Sequence, residues 1–219
     1  MEKTIVVIPA YQAEHSIGTL VQAVVDQNLP VIVVDDASTD DTAGKARGAG
    51  ARVVRLPVNR GKGAALCAGF SKALEGPYDW VLTMDSDGQH PPGEISKFLE
   101  AAQQKGADIV VGNRMEDPKG MPLIRRFTNH CMSRLLSRLI RQEVPDSQCG
   151  FRLIRRRVLE KIHLTTHRFE IESELVVKGA QAGFKIVSIP VPSVYPRGAS
   201  FIRPLSDTIR FLRFLLKGS

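Results

Sequence analysis

The chain has 219 residues, 43% of them hydrophobic, which is enough for one full core and favours a single domain spanning 1–219. No run approaches the ~20 apolar residues of a membrane-spanning helix, and the start Met1-Glu2-Lys3-Thr4 lacks the layout of a signal peptide. The expectation is a cytoplasmic protein that reaches a membrane only from its inner face, as a peripheral protein. The net charge of +7 is uneven: residues 1–119 hold 12 basic and 16 acidic side chains, residues 120–219 hold 18 and 7. A basic half beside an acidic one fits nucleic acid, anionic lipid or a phosphate-bearing substrate, and charge alone does not choose among them. Cys67, Cys131 and Cys149 are odd in number, far apart and without a Cys-x-x-Cys pair, which argues against a disulfide framework and a zinc site.

In chain order, the first half alternates short apolar runs with amphipathic stretches of helix length, the pattern of an α/β fold with a mostly parallel sheet flanked by helices. Strands are expected at Thr4–Pro9, Val31–Asp35, Arg52–Leu56, Trp80–Met84 and Asp108–Val111. In such sheets ligands lie at the carboxyl ends of the strands. Those ends carry Pro9-Ala10-Tyr11, Asp35-Asp36, Asn59-Arg60-Gly61-Lys62-Gly63, Asp85-Ser86-Asp87 and Gly112-Asn113-Arg114. The second half reads as a long basic helix from about Pro122 to Arg141, a β-like Gln148–Ile154, a helix around Ile171–Ala182, a strand Ile186–Val194 and a terminal helix Pro204–Leu216. In the long helix Leu123, Phe127, Cys131, Leu135 and Leu139 share one face, and Arg126, His130, Arg134 and Arg138 another. The terminal helix repeats that design with Leu205, Ile209, Leu212 and Leu216 against Arg203, Arg210, Arg213 and Lys217. Two basic amphipathic helices suit an interfacial docking surface, on lipid, on a membrane-protein partner or on a second copy; solvated basic faces on an ordinary core give the same pattern.

Asp85 and Asp87 flank Ser86 just past an apolar strand, so both carboxylates are expected on one side of the strand end. Two such groups repel unless a cation lies between them. Oxygen ligands, with Gln89 as a third, suit Mg2+ or Mn2+ bridging to phosphates; isolated, the same pair would simply cap the next helix. Asp35-Asp36-Ala37-Ser38-Thr39-Asp40-Asp41 is a second acidic loop, able both to accept hydrogen bonds from a base or ribose and to cap a helix. Asn59-Arg60-Gly61-Lys62-Gly63 is neither a Walker loop nor a Rossmann fingerprint.

With these loops assembled, the chain resembles the family 2 glycosyltransferases of the GT-A fold, and among them the polyprenyl-phosphate sugar transferases typified by dolichol-phosphate mannose synthase. The resemblance runs through Pro9-Ala10-Tyr11, Asp35 to Asp40, Gly61-Lys62-Gly63, Asp85-Ser86-Asp87-Gly88-Gln89-His90-Pro91-Pro92, Gly112-Asn113-Arg114, Asp146 to Arg152 and Gly198-Ala199-Ser200. It implies a nucleotide-sugar donor surrounded by Pro9, Ala10, Tyr11, Glu14, Asp36, Lys62, Asp85 and Ser86, with metal and diphosphate held by Asp85, Asp87 and Gln89. It implies a polyprenyl phosphate acceptor near Arg114, Arg126, Asn129, Ser133, Arg152, Arg197 and Ser200. Catalysis would then rest on Asp87, Arg114, Arg152 and Glu172, with inversion at the anomeric carbon. A lipid phosphate is already anionic near neutral pH, so it needs positioning by arginine and no base. The sequence departs from the family at Gln12-Ala13-Glu14, where Asn-Glu is usual, and at Phe201, where Lys is usual after Gly-x-Ser.

Two other readings remain in play. A hydroxyl acceptor on a glycan or small molecule would need a base, for which Glu172 is the candidate; Glu170 and Glu174 read as helix-dipole compensation. A nucleic-acid-binding module has only the +11 half in its favour: aromatics are few, no reading motif appears, and no nucleic acid partner is expected.

Overall fold

The computed structural model describes residues 2–118, 120–166 and 170–192. In chain order these form β1 (Thr4–Ala10), α1 (Ile17–Val25), β2 (Val31–Asp35), α2 (Thr42–Gly48), β3 (Arg52–Arg55), α3 (Lys62–Leu74) and β4 (Trp80–Thr83). There follow α4 (Ile95–Lys105), β5 (Ile109–Asn113), α5 (Leu123–Ile140), β6 (Arg152–Arg155), α6 (Arg156–Lys161), α7 (Ile171–Gln181) and β7 (Ile186–Pro190). The terminal helix expected at Pro204–Leu216, the end of the expected strand Ile186–Val194, and Arg197, Ser200, Phe201 and Arg203 lie outside the described residues.

The strands form a seven-stranded sheet in the order β3-β2-β1-β4-β6-β5-β7. β1, β2 and β5 are buried along their whole lengths, as continuous apolar strands must be when helices cover both faces. β6 is antiparallel to both β4 and β5, and the other pairings are parallel. The β-like stretch expected from Gln148 becomes strand only at Arg152, because residues 146–149 turn to bring Gly150 beside the end of β4. There Thr83 Oγ1 donates to the Gly150 carbonyl at 2.7 Å.

Strand order reverses between β1 and β4, the kind of switch point at which open α/β sheets bind ligands. Helix α3 lies close on this region because it carries Gly69 against the sheet. A Cβ there would fall 2.4 Å from Val7 Cγ1, so a side chain would push the helix away. Its N-terminus is set by Gly61 at φ 92°, a left-handed turn that glycine adopts without a Cβ clash. Lys62, the first helical residue, is thereby directed over the carboxyl ends of β1 and β4.

Helix α5 leaves both of its expected stripes, the apolar and the basic, exposed. Its buried side chains are Asn129, Met132, Ser133 and Leu136, while Leu123, Ile124, Phe127, Leu135 and Leu139 are exposed, as are Cys131, Arg126, His130, Arg134 and Arg138. Among the described residues no helix is long and apolar enough to cross a membrane.

Candidate active site at the carboxyl ends of the strands

The loop after β1 and the loop after β2 are interlocked. Gln12 donates its backbone N–H to Ser38 Oγ at 3.0 Å and its side-chain amide to Thr39 Oγ1 at 2.7 Å. Both loops carry a non-glycine residue at positive φ, Gln12 at 53° and Ala37 at 61°, a conformation that surrounding contacts must hold in place. Glu14 accepts from the Asp41 N–H at 3.1 Å and so ties the loop to the start of α2. Pro9 and Ala10 are buried in β1, whereas Tyr11 is half exposed at its end. Beside these loops lies an open cleft of about 620 Å³ lined by Ala37, Ser38, Thr39, Arg55, Leu56 and Pro57.

Asp36 is buried and both its oxygens are engaged: Oδ1 accepts from Arg60 N–H at 2.8 Å and Oδ2 from Gly61 N–H at 2.7 Å. Its carboxylate thus fixes the turn that launches α3 and aims Lys62. Lys62 Nζ in turn lies 2.5 Å from Asp85 Oδ1 and 2.5 Å from Glu172 Oε1, one ammonium between two carboxylates from opposite halves of the chain. Burial works against that charge, but Asp85 and Glu172 outweigh it and hold Lys62 above the ordinary lysine range. For Asp85 the same balance has the opposite sign: burial opposes ionisation, and Lys62 and then His90 hold the carboxyl far below the ordinary carboxylate range.

Asp85 is also seated sterically, since a Cβ on Gly150 would lie 2.4 Å from its Oδ1. His90 is buried, tilted on Phe151 at 5.2 Å, with Nε2 3.5 Å from Asp85 Oδ2 and neither ring nitrogen hydrogen-bonded. Asp87 lies in the turn after β4, at the surface, where its Oδ1 accepts from the Gln89 N–H at 3.0 Å. Partial enclosure and then the Asp85 charge push its carboxyl up. Ser86, between the two, accepts at its carbonyl from Ser16 Oγ at 2.6 Å. Among the described residues no three His, Cys, Asp or Glu side chains converge as a ready-made metal cluster. Two carboxylates whose charges oppose each other, with Gln89 in the same turn, nevertheless suit a hard cation that completes its shell with phosphate oxygens.

A second network lies beneath α5. Asp146 is fully buried and accepts from Arg114 Nε at 2.6 Å, Arg114 Nη2 at 2.9 Å, the Arg114 N–H at 3.2 Å and Asn129 Nδ2 at 3.1 Å. Burial raises its pKa, and Arg114 more than offsets that. Ser133 pairs with Ser147, Oγ to Oγ at 3.0 Å, and accepts the Ser147 N–H at 2.9 Å. Arg152 donates Nε to the Cys149 carbonyl at 2.7 Å, Nη2 to the Ser147 carbonyl at 2.7 Å, and Nη1 to the Glu172 carbonyl. Arg114, Asn129, Ser133 and Arg152, expected around an acceptor phosphate, are thus turned inward and shape the 146–149 loop. Arg126 is exposed on α5.

Sequence reasoning missed the anchoring of α7. Glu174, expected to compensate a helix dipole, accepts from Thr165 N–H and Oγ1 at 2.9 and 2.7 Å, Thr166 N–H and Oγ1 at 2.8 and 2.6 Å, and Lys178 Nζ at 2.6 Å. The signal that could have found it is the Thr165-Thr166 pair close ahead of an acidic helix start. The role of Asp146 was legible only as part of a family segment.

The comparisons with known proteins give the class first: the chain is a glycosyltransferase of the GT-A fold. Its sequence matches Glycosyl transferase family 2 over residues 5–163, and it belongs to that family. It is 31% identical over 205 residues to a dolichyl-phosphate hexose transferase of Haloferax volcanii, spanning 92% of this chain and 87% of that one. Over 212 residues it is 29% identical to a UDP-N-acetylglucosamine--dolichyl-phosphate N-acetylglucosaminyltransferase of Methanococcus voltae, spanning 86% and 84%. Glucosyl-3-phosphoglycerate synthase of Mycobacterium tuberculosis, crystallised with Mn2+, UDP and phosphoglyceric acid, shares the fold with a TM-score of 0.78 at 21% identity, over 99% of this chain and 78% of that one.

The Glu174 clamp yields a pH prediction. Burial opposes its charge, but Lys178, Thr166 and Thr165 hold the folded-state pKa at about 2, below an ordinary 4.5. Over that interval the unfolded chain binds more protons, so the stabilisation is fully present above pH 4.5 and is lost as pH falls toward 2. Glu174→Gln is expected to lose on the order of 2 kcal/mol at neutral pH and to flatten the acid limb. Urea unfolding across that range checks it, and parallel wild-type and variant curves would contradict it.

Proposed function

We propose that the chain transfers a sugar from a nucleoside-diphosphate sugar to a polyprenyl phosphate at a membrane surface, with inversion at the anomeric carbon. Asp85, Asp87 and Gln89 would hold Mg2+ or Mn2+, whose chemistry is to neutralise charge on the departing diphosphate. The observation that carries the reading is the meeting of Lys62, Asp85 and Glu172 at the switch point of the sheet, beside the strained loops at Gln12 and Ala37. Tyr11 and the cleft at Ala37–Thr39 would take the nucleoside, with Pro9 and Ala10 as its floor. Asp36 and Glu14 act by holding the loops that do so, and Lys62 faces the diphosphate.

The acceptor class is supported by what the relatives' names say they act on and by the surroundings of Glu172. Its Oε1 is occupied by the Lys62 ammonium, an arrangement that suits a nucleophile that is anionic beforehand. Arg126, with Arg197 and Ser200 beyond the described residues, would position the lipid phosphate; Arg114, Asn129, Ser133 and Arg152 would fix the acceptor-side loop. Against this stands one observation for a hydroxyl acceptor: Glu172 Oε2 is buried without a hydrogen-bond partner. The exposed apolar stripe of α5, flanked by arginines, supports docking on an anionic leaflet. The proposed domain arrangement is one catalytic unit, with residues 1–119 serving the donor and 120–219 the acceptor.

Incubation with a panel of UDP- and GDP-sugars and short-chain polyprenyl phosphate is expected to give lipid-linked sugar from one donor, abolished by EDTA and reduced at least a hundredfold by Asp87→Ala. EDTA-resistant transfer would contradict the metal assignment. Leu123 and Phe127 are 81% and 68% exposed, so Leu123→Glu with Phe127→Glu should leave the melting temperature unchanged and cut co-sedimentation with anionic vesicles severalfold. Unchanged vesicle binding, or stronger binding to single-stranded RNA than to vesicles at physiological salt, would remove the membrane-surface reading.

A further inference from the structure

Asp85 is the carboxylate best placed to bind a metal, yet its Oδ1 lies against an ammonium. Lys62 Nζ stands 2.5 Å from that oxygen and 2.5 Å from Glu172 Oε1, and Lys62 and Glu172 are 15% and 5% exposed. A divalent cation taking the same carboxylate would sit close to the ammonium in a poorly hydrated pocket, where like charges repel strongly. Lys62 is also the first residue of a 13-residue helix, where the helix dipole disfavours a cation and favours an anion. An anionic ligand arriving there removes both conflicts: it accepts the ammonium and releases Asp85. Glu172, deeply buried in the first turn of α7, keeps hold of the lysine while its other partner changes.

Resting on the proposed metal and nucleotide roles, we propose that Lys62 is the resident counter-cation of the metal subsite. Its ammonium, anchored on Glu172, competes with the divalent metal for Asp85, so the metal is taken up jointly with a nucleoside diphosphate. Glu172 is accordingly a positioning residue for Lys62. Metal and nucleotide then raise each other's affinity by the same factor, as linkage requires. Phosphate oxygens on the metal would couple the two ligands in any case; what a lysine that merely bridges α3 to α7 would not do is weaken Mn2+ binding in the absence of nucleotide.

The test is Mn2+ binding followed by the free-ion EPR signal, with and without UDP or GDP, corrected for Mn2+ bound to nucleotide in solution. Wild type is expected to bind Mn2+ at least tenfold more tightly when one of the nucleotides is present. Lys62→Met and Lys62→Gln are expected to bind Mn2+ alone at least tenfold more tightly than wild type and to lose most of the nucleotide dependence. Lys62→Arg, which keeps the competing charge, is expected to resemble wild type. Circular-dichroism melts identify the variants that fold, and equal wild-type affinities overturn the inference even if neither neutral variant does. Equal Mn2+ affinity of wild type with and without nucleotide, or neutral variants that bind Mn2+ no better than wild type, would overturn the inference and leave the metal site standing. No Mn2+ binding by any of the proteins, even with nucleotide, would overturn the metal assignment itself and this inference with it.

Discussion

One ammonium joins what the chain makes far apart. Lys62 belongs to the start of α3, Asp85 to the loop after β4 and Glu172 to the first turn of α7, and the three meet within ion-pair distance. Much of the surrounding structure serves that meeting. Asp36 fixes the turn at Arg60 and Gly61, Gly69 lets α3 lie close on β1 and β2, and Gly150 leaves room for the Asp85 carboxylate. The antiparallel pairing of β4 with β6 brings the two halves of the chain side by side at the required register, Thr83 opposite Arg152.

The second half of the chain has its own buried centre in Asp146. Burying an ion pair costs desolvation on both partners, and that cost is offset only when the remaining donors and acceptors are satisfied. Here Arg114 and Asn129 share the carboxylate and Arg152 binds three carbonyl groups, two of them, of Ser147 and Cys149, in the 146–149 loop. A loop fastened in this way suits the proposed chemistry, which depends on positioning an anionic nucleophile and not on activating it.

The strands and the loops that follow them were legible because burial on both faces leaves continuous apolar runs, and because polar residues at strand ends have few other uses. Side-chain partners were less legible. Nothing local marks Lys62 and Glu172 as neighbours, and an arginine in a family motif reads the same whether it faces a ligand or, like Arg152, its own backbone. Periodicity found the exposed apolar stripe of α5, but nothing in it marked the buried face, which uses Asn129 to reach Asp146 and Ser133 to reach Ser147. The departure at Gln12 has a physical reading: its positive φ is one that Asn, usual in the family, adopts more readily, and Gln12 offsets the strain with two hydrogen bonds to the neighbouring loop.

The proposed transfer differs from its alternative in the nucleophile, a lipid phosphate and not a hydroxyl. The most direct measurement compares transfer to a polyprenyl phosphate with transfer to the matching polyprenol, under the same donor and metal. Lipid-linked sugar from the phosphate alone is the predicted result. Product from the polyprenol, lost in Glu172→Gln, would contradict the account and make Glu172 a general base.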